Sequence, residues 1–183
     1  PNKGKTMFLK NKLTGTFLLF LLAGSAIADF TKGELLYYNN FDTVDAFGEK
    51  YRQAFRSGKG LAEDGAFEVA GYQGANFIIL DLDPVKLKGR ILMEAVVKAD
   101  RISKPEKAHF GAKLMLVIQR KNGKTLWPEP ATMPKSGSSD WKTVSLVQVI
   151  PDDTVSVKLY FGVQNATGKF LIDSISIYRA EEK

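Results

Sequence analysis

Val155-Ser156-Val157-Lys158-Leu159-Tyr160-Phe161-Gly162-Val163-Gln164 alternates apolar with mostly polar side chains, residue by residue. Successive side chains of a strand point to opposite faces, so this period of two marks a half-buried β-strand. Val155, Val157, Leu159, Phe161 and Val163 are expected to face a core. Ser156, Lys158, Tyr160, Gly162 and Gln164 are expected to face the other way. The stretch is bounded by turn formers, Pro151-Asp152-Asp153 before it and Asn165 to Gly168 after it.

Working outward, the same signature recurs. Arg90 to Asp100 places Ile91, Met93, Ala95 and Val97 on one face and Arg90, Glu94 and Lys98 on the other. Phe110 to Arg120 reads as a similar strand, followed by Asn122-Gly123, a strong hairpin signal because both turn positions need positive φ. Lys124 to Trp127 is the return strand. Further strands are expected at Glu34–Tyr38, Phe67–Gly71, Asn76–Asp81, Trp141–Ile150 and Phe170–Tyr178. In the last, either Leu171, Asp173, Ile175 and Ile177 or the alternate set faces inward. Leu82-Asp83-Pro84 breaks the chain, and only Asp42–Phe55 has helical character. About nine or ten short strands predict an all-β fold, two packed antiparallel sheets in a β-sandwich of jelly-roll type. The loop Leu126–Ser139, rich in Pro, Gly and Ser, is long enough to suggest function.

The 183 residues carry 26 Lys and Arg and 20 Asp and Glu. The excess sits at the start. Residues 1–28 hold Lys3, Lys5, Lys10 and Lys12 and no acid, leaving 22 basic and 20 acidic side chains in the remainder. A near-neutral body lacks the basic face a nucleic-acid binder needs, so no nucleic-acid partner is expected. Residues 1–28 read as a Sec-type signal peptide: Lys10 and Lys12, then the apolar run Phe17–Ala23, then Ala26-Ile27-Ala28 before the cut. The run is short for a membrane span, so the mature chain, Asp29 to Lys183, is expected to be secreted or periplasmic, without a transmembrane segment. It would form a single domain (29–183), expected to be a monomer. With no Cys, its stability rests on core packing or a metal rather than on disulfides.

Catalytic constellations are missing. There is one His, His109, and no Cys. No serine elbow or phosphate loop is present, and Glu63, Asp64, Asp81 and Asp83 read as ordinary loop and turn acids. A non-enzyme is therefore expected.

Four stretches together resemble a known family. They are Tyr38-Asn39-Asn40-Phe41-Asp42; Leu87-Lys88-Gly89-Arg90 leading into Ile91–Lys98; Ser138-Ser139-Asp140-Trp141-Lys142-Thr143-Val144 followed by Ile150-Pro151; and Val157–Gly162 through Gly168 to Leu171-Ile172-Asp173-Ser174-Ile175. In their order and spacing they resemble carbohydrate-binding modules of the cenC type (families 4, 9 and 22). The resemblance implies a galactose-binding-like jelly roll, a polysaccharide or glycan partner, and non-catalytic binding. It also implies a structural calcium between the start of the chain and its last strand, with Asp42 and Asp173 as carboxylate ligands, and it implies that Trp141 packs in the core.

Sugar recognition needs aromatic faces for the apolar side of the ring and polar groups for its hydroxyls. Trp127, at the mouth of the long loop, and Tyr160 with Gln164, four residues apart on one strand face, are the leading candidates. Tyr72, in the loop Gly71-Tyr72-Gln73-Gly74, and Glu94 are added to them, and Lys158, Lys98, Lys113 and Gln119 could extend the surface. Tyr51 and Phe55 are weaker candidates, more often packing residues. Two other functions stay open: a cell-envelope domain making protein contacts through an exposed apolar patch, and a small glycoside hydrolase with two facing carboxylates.

Overall fold

A computed structural model describes residues 30–46, 48–131 and 136–183. The export signal expected over residues 1–28 lies outside them, as does Pro134 of the long loop.

Among the described residues, ten strands form two antiparallel sheets. They are β1 (Phe30–Asn39), β2 (Phe55–Ser57), β3 (Gly65–Gly71), β4 (Ala75–Leu82), β5 (Gly89–Ile102), β6 (Gly111–Arg120), β7 (Thr125–Leu126), β8 (Gly137–Ile150), β9 (Thr154–Gln164) and β10 (Gly168–Glu182). One sheet runs β2-β3-β10-β5-β8, with β1 also paired to β10. The other runs β4-β9-β6-β7. The long β10 makes this arrangement possible: β5 pairs along most of its length, while β3 meets its first half and β1 its second. A one-turn helix, α1 (Pro84–Leu87), links β4 to β5, its first turn capped by the Asp83 carboxylate accepting from the Val85 N–H at 2.9 Å. The helical character expected over Asp42–Phe55 condenses to a 3₁₀ helix at Glu49–Ala54.

The core lies between the sheets. β9 contributes Val157, Leu159, Phe161 and Val163, and β6 contributes Ala112, Leu114, Leu116 and Ile118. Ile91, Met93, Ala95 and Val97 of β5 face them, as their alternation predicts. Phe161 and Phe170, both fully buried, meet across the sandwich with ring centroids 5.0 Å apart.

Three expectations are corrected. Val155 is expected to face inward but is 52% exposed, because the β6–β9 register shifts between Gln119 and Arg120, whose partners are Ser156 and Thr154: Val155 is the extra residue of a bulge, and Thr154 takes the buried place. Val155→Thr is therefore expected to change stability by no more than about 0.5 kcal/mol, read from urea unfolding midpoints. In β10 neither parity holds throughout: Phe170 and Ile172 point inward, then Ile175 and Ile177. A register shift between Ile172 and Ser174 inserts one residue, so the inward set changes phase at Asp173. Trp141 is only half-buried, at a similar irregularity: the register of β8 on β5 shifts between the Val97 and Ala99 partners, Lys142 and Ser139.

Candidate functional site

The outer face of the four-stranded sheet gathers most of the expected sugar-binding residues. β9 is a central strand there, flanked by β4 and β6. Tyr160 lies opposite Ile79 and Met115, Lys158 opposite Asp81 and Val117, and Gly162 opposite Phe77 and Lys113. Leu126 pairs with the inward Ile118, so Trp127 follows on the outer side, next to Val117. The chain beyond Trp127 keeps alongside β6, with the Ala131 N–H donating to the Leu114 carbonyl at 2.9 Å.

Three aromatic rings form a band across this face. Tyr160 sits in the middle, its ring centroid 6.2 Å from Trp127 and 5.7 Å from Phe77, both edge-to-face. Trp127 is 63% exposed, too exposed for a residue whose job is core packing. Beneath the band, Met115 and Val117 are nearly buried and supply an apolar floor. A cleft of about 240 Å³ opens here, lined by Val117, Gln119, Thr125, Trp127, Ser156, Lys158 and Tyr160. It combines rigid aromatic area with amide and hydroxyl groups, the surface a pyranose ring requires. At one end of the face the Lys113 ammonium donates to the Gln164 side-chain oxygen. Ala75 pairs with Gln164, so Tyr72, 52% exposed in the β3–β4 turn, stands at that same end, its hydroxyl donating to the Ala75 carbonyl at 3.3 Å.

Two features hold the band in place. A side chain at Gly162 would collide with the Asn76 carbonyl and come within 2.9 Å of the Phe77 ring, so only glycine lets Phe77 lie across β9. Arg120 grips Asp153 with Nε–H and Nη2–H bonds of 2.8 Å each, and the Lys121 N–H donates to the Asp153 carbonyl at 2.8 Å. This ties the hairpin that leads to Trp127 to the turn entering β9. The hydrogen bond from Arg120 holds the Asp153 carboxyl below the ordinary carboxylate range. A depressed carboxylate stabilises above its unfolded pKa, so the clamp persists at neutral pH and is lost as pH falls through the folded value.

Glu94 and Lys98 do not join this surface. β5 belongs to the six-stranded sheet, and Glu94 points from that sheet's outer face, paired with Lys32 at 2.6 Å. The sandwich core separates it from Trp127 and Tyr160. Tyr51 and Phe55 are packing residues. The Tyr51 hydroxyl accepts from the Ile79 N–H at 3.2 Å, covering the edge of β4, and Phe55 meets Phe67 edge-to-face. Phe77 escaped the sequence reading because Phe77-Ile78-Ile79-Leu80 is apolar on both faces; its alternation carries no direction.

Asp42 and Asp173 come together, and Asp64 joins them. Desolvation, then the charges of Asp64 and Asp173 and a hydrogen bond with Asp64, push the Asp42 carboxyl above the ordinary range. A raised carboxylate contributes stability that is full below its unfolded pKa and lost as pH rises through the folded value. Asp173 sits where β10 shifts phase, and its Oδ1 accepts from the Leu61 N–H at 2.6 Å. Phe41, buried with φ 54°, turns the chain just before Asp42. Around the buried Gly60 the oxygens converge: a Cβ there would collide with Asp64 Oδ1 and lie 2.5 Å from the Gly65 carbonyl oxygen and 2.9 Å from Asp173 Oδ1. The donors here are all oxygens, the atom type a hard cation such as calcium takes. Among the described residues no group of three or more His, Cys, Asp or Glu is arranged to hold a metal ion, so any such site would have to draw on carbonyl oxygens such as that of Gly65.

No family model matches the chain, and no curated protein does. Solved structures do. The xylan-binding CBM22-1 domain of Paenibacillus barcinonensis Xyn10C is similar at 15% identity and a TM-score of 0.57, covering 84% of this chain and 98% of that one. The CBM22-1–CBM22-2 tandem of the same enzyme gives 16% and 0.58, over 84% of this chain and 47% of that one. The CBM22-1–GH10 modules of Clostridium thermocellum Xyn10B, complexed with xylohexaose, give 12% and 0.57; this chain spans 28% of that larger chain and is covered over 80%. At these identities the likeness is one of fold. The chain is an antiparallel β-sandwich of the kind found in family 22 carbohydrate-binding modules.

Proposed function

We propose that this protein is a non-catalytic polysaccharide-binding module whose ligand lies across the outer face of the four-stranded sheet. One observation carries the reading: Phe77, Tyr160 and Trp127 form a band beside a cleft lined by Gln119, Thr125 and Ser156. Rings stack on the band while amide and hydroxyl groups orient the sugar hydroxyls, and no bond is made or broken. The solved xylan-binding structures of the same fold support it.

The test is affinity electrophoresis of the purified protein in gels containing a panel of soluble polysaccharides, with pull-down on insoluble ones. Retention on at least one polymer is expected. Failure on all of them would shift the function to protein contact. The surface for that role is the outer face of the six-stranded sheet, where Leu35, Tyr178, Leu92 and Val147 align in one cross-strand row.

The Asp42, Asp64 and Asp173 cluster is read as a calcium site that ties the end of β1 and the loop before β3 to β10. Millimolar calcium is expected to raise the melting temperature by about 6 °C over protein in EDTA, as for a ligand present at about 100 times its Kd. Asp42→Asn separates this from a purely structural role. It should raise the melting temperature in EDTA by removing like-charge repulsion and lower it in calcium by removing a ligand. Equal melting curves with and without calcium would refute the site.

A further inference from the structure

Among its described lining residues, the cleft beside the aromatic band holds one charged side chain, and it is a cation. Of its seven lining residues, Val117, Trp127 and Tyr160 supply contact area and Gln119, Thr125 and Ser156 supply neutral polar groups; Lys158 alone is charged. A neutral glycan is satisfied by amides and hydroxyls, so an ammonium among them adds a preference for negative charge. Among the described residues its counter-charge is Asp81, and it is weakly engaged. Asp81 lies 3.4 Å away on the edge strand β4, outside the cleft and 79% exposed. That is longer than the roughly 2.7–2.9 Å of a charge-assisted hydrogen bond. A second ammonium, that of Lys113, lies on the same face opposite Gly162, four residues along β9 from Lys158. At about 3.3 Å per residue the two are roughly 13 Å apart along the strand, so they would meet different sugars of an extended chain.

We propose that the cleft takes an acidic polysaccharide, with Lys158 pairing a carboxylate or sulfate on a sugar whose ring lies against Trp127 and Tyr160. This rests on the polysaccharide-binding reading and narrows it to anionic polymers.

The test is affinity electrophoresis in polygalacturonate, dextran sulfate and neutral xylan, with melting curves to confirm that each variant is folded. Retention is expected on an acidic polymer in preference to neutral xylan, and the two acidic gels distinguish carboxylate from sulfate. Raising NaCl from about 0.05 M to about 0.5 M should weaken that retention severalfold by screening. Lys158→Met should weaken it about tenfold, the size of one charge-assisted contact, while Lys158→Arg keeps it within about twofold. Asp81→Asn should strengthen it about threefold by removing the neighbouring negative charge, with neutral-xylan retention unchanged. Retention that ignores both salt and Lys158→Met, or that is as strong on neutral xylan, overturns the acidic-ligand inference and leaves the carbohydrate reading standing. Absence of retention on every polymer overturns both.

Discussion

Tyr160→Ala is expected to weaken polysaccharide binding by about 30- to 100-fold while the protein stays folded. Its ring is the hub of the band, touching Trp127 on one side and Phe77 on the other. Truncating it removes stacking area at the centre and leaves both neighbours without their edge-to-face partner. Central aromatic anchors commonly cost 2 kcal/mol or more when cut back to alanine, which at about 1.4 kcal/mol per decade gives that range. Tyr160 is only partly buried, so the stability cost should be a modest one of about 1–2 kcal/mol. Trp127→Ala, at a more exposed position, should weaken binding with a smaller loss of stability. Affinity electrophoresis paired with thermal melts checks both. Unchanged retention in both variants would place the ligand elsewhere on the molecule.

The neighbouring residue should behave in the opposite way. Phe161→Ala is expected to cost about 4 kcal/mol of stability, a large share of what a domain of this size possesses. Phe161 is fully buried, packs against Phe170 across the sandwich, and lies between β4 and β6 in register with Ile78 and Leu114. Removing the ring loses its transfer energy and leaves a cavity that the sheets, pinned by their ladders, fill only in part. The urea midpoint should fall sharply with an unchanged slope, since native compactness is the same. Whatever folded Phe161→Ala protein remains should still bind polysaccharide, because its side chain is on the inner face.

These two neighbours mark how far the sequence reaches. In Val155 to Gln164 the alternation assigns Tyr160, Lys158 and Gln164 to one face and Phe161 to the other, and the structure agrees along most of the strand. The site residues on β9 were legible because the rule behind them is local: a strand's side chains alternate whatever it pairs with. The hairpin at Asn122-Gly123 was legible as well, but not its turn geometry: only Gly123 has positive φ (80°), Asn122 does not, and the turn closes with the Gly123 N–H on the Arg120 carbonyl and the Arg120 N–H on the Lys124 carbonyl. Glu94 shows the limit. Its strand was read correctly and its outward direction too, but not which sheet it joins, and that alone separates it from Tyr160. Asp64 looked like an ordinary loop acid because its partners, Asp42 and Asp173, are remote in sequence.

By itself, then, the sequence determined most of the strands, though not β2, most of their inward and outward faces, and the aromatic and polar side chains that β9 displays. Only the tertiary structure decided the pairing order of the sheets, the change of phase at Asp173, the half-exposed place of Trp141, and the recruitment of Phe77 over Gly162. The physical reason is that alternation is a property of one strand's backbone. Sheet membership, bulges and ring contacts are settled by pairing between segments far apart in the chain, where packing of both faces at once chooses among registers that the local pattern leaves equivalent.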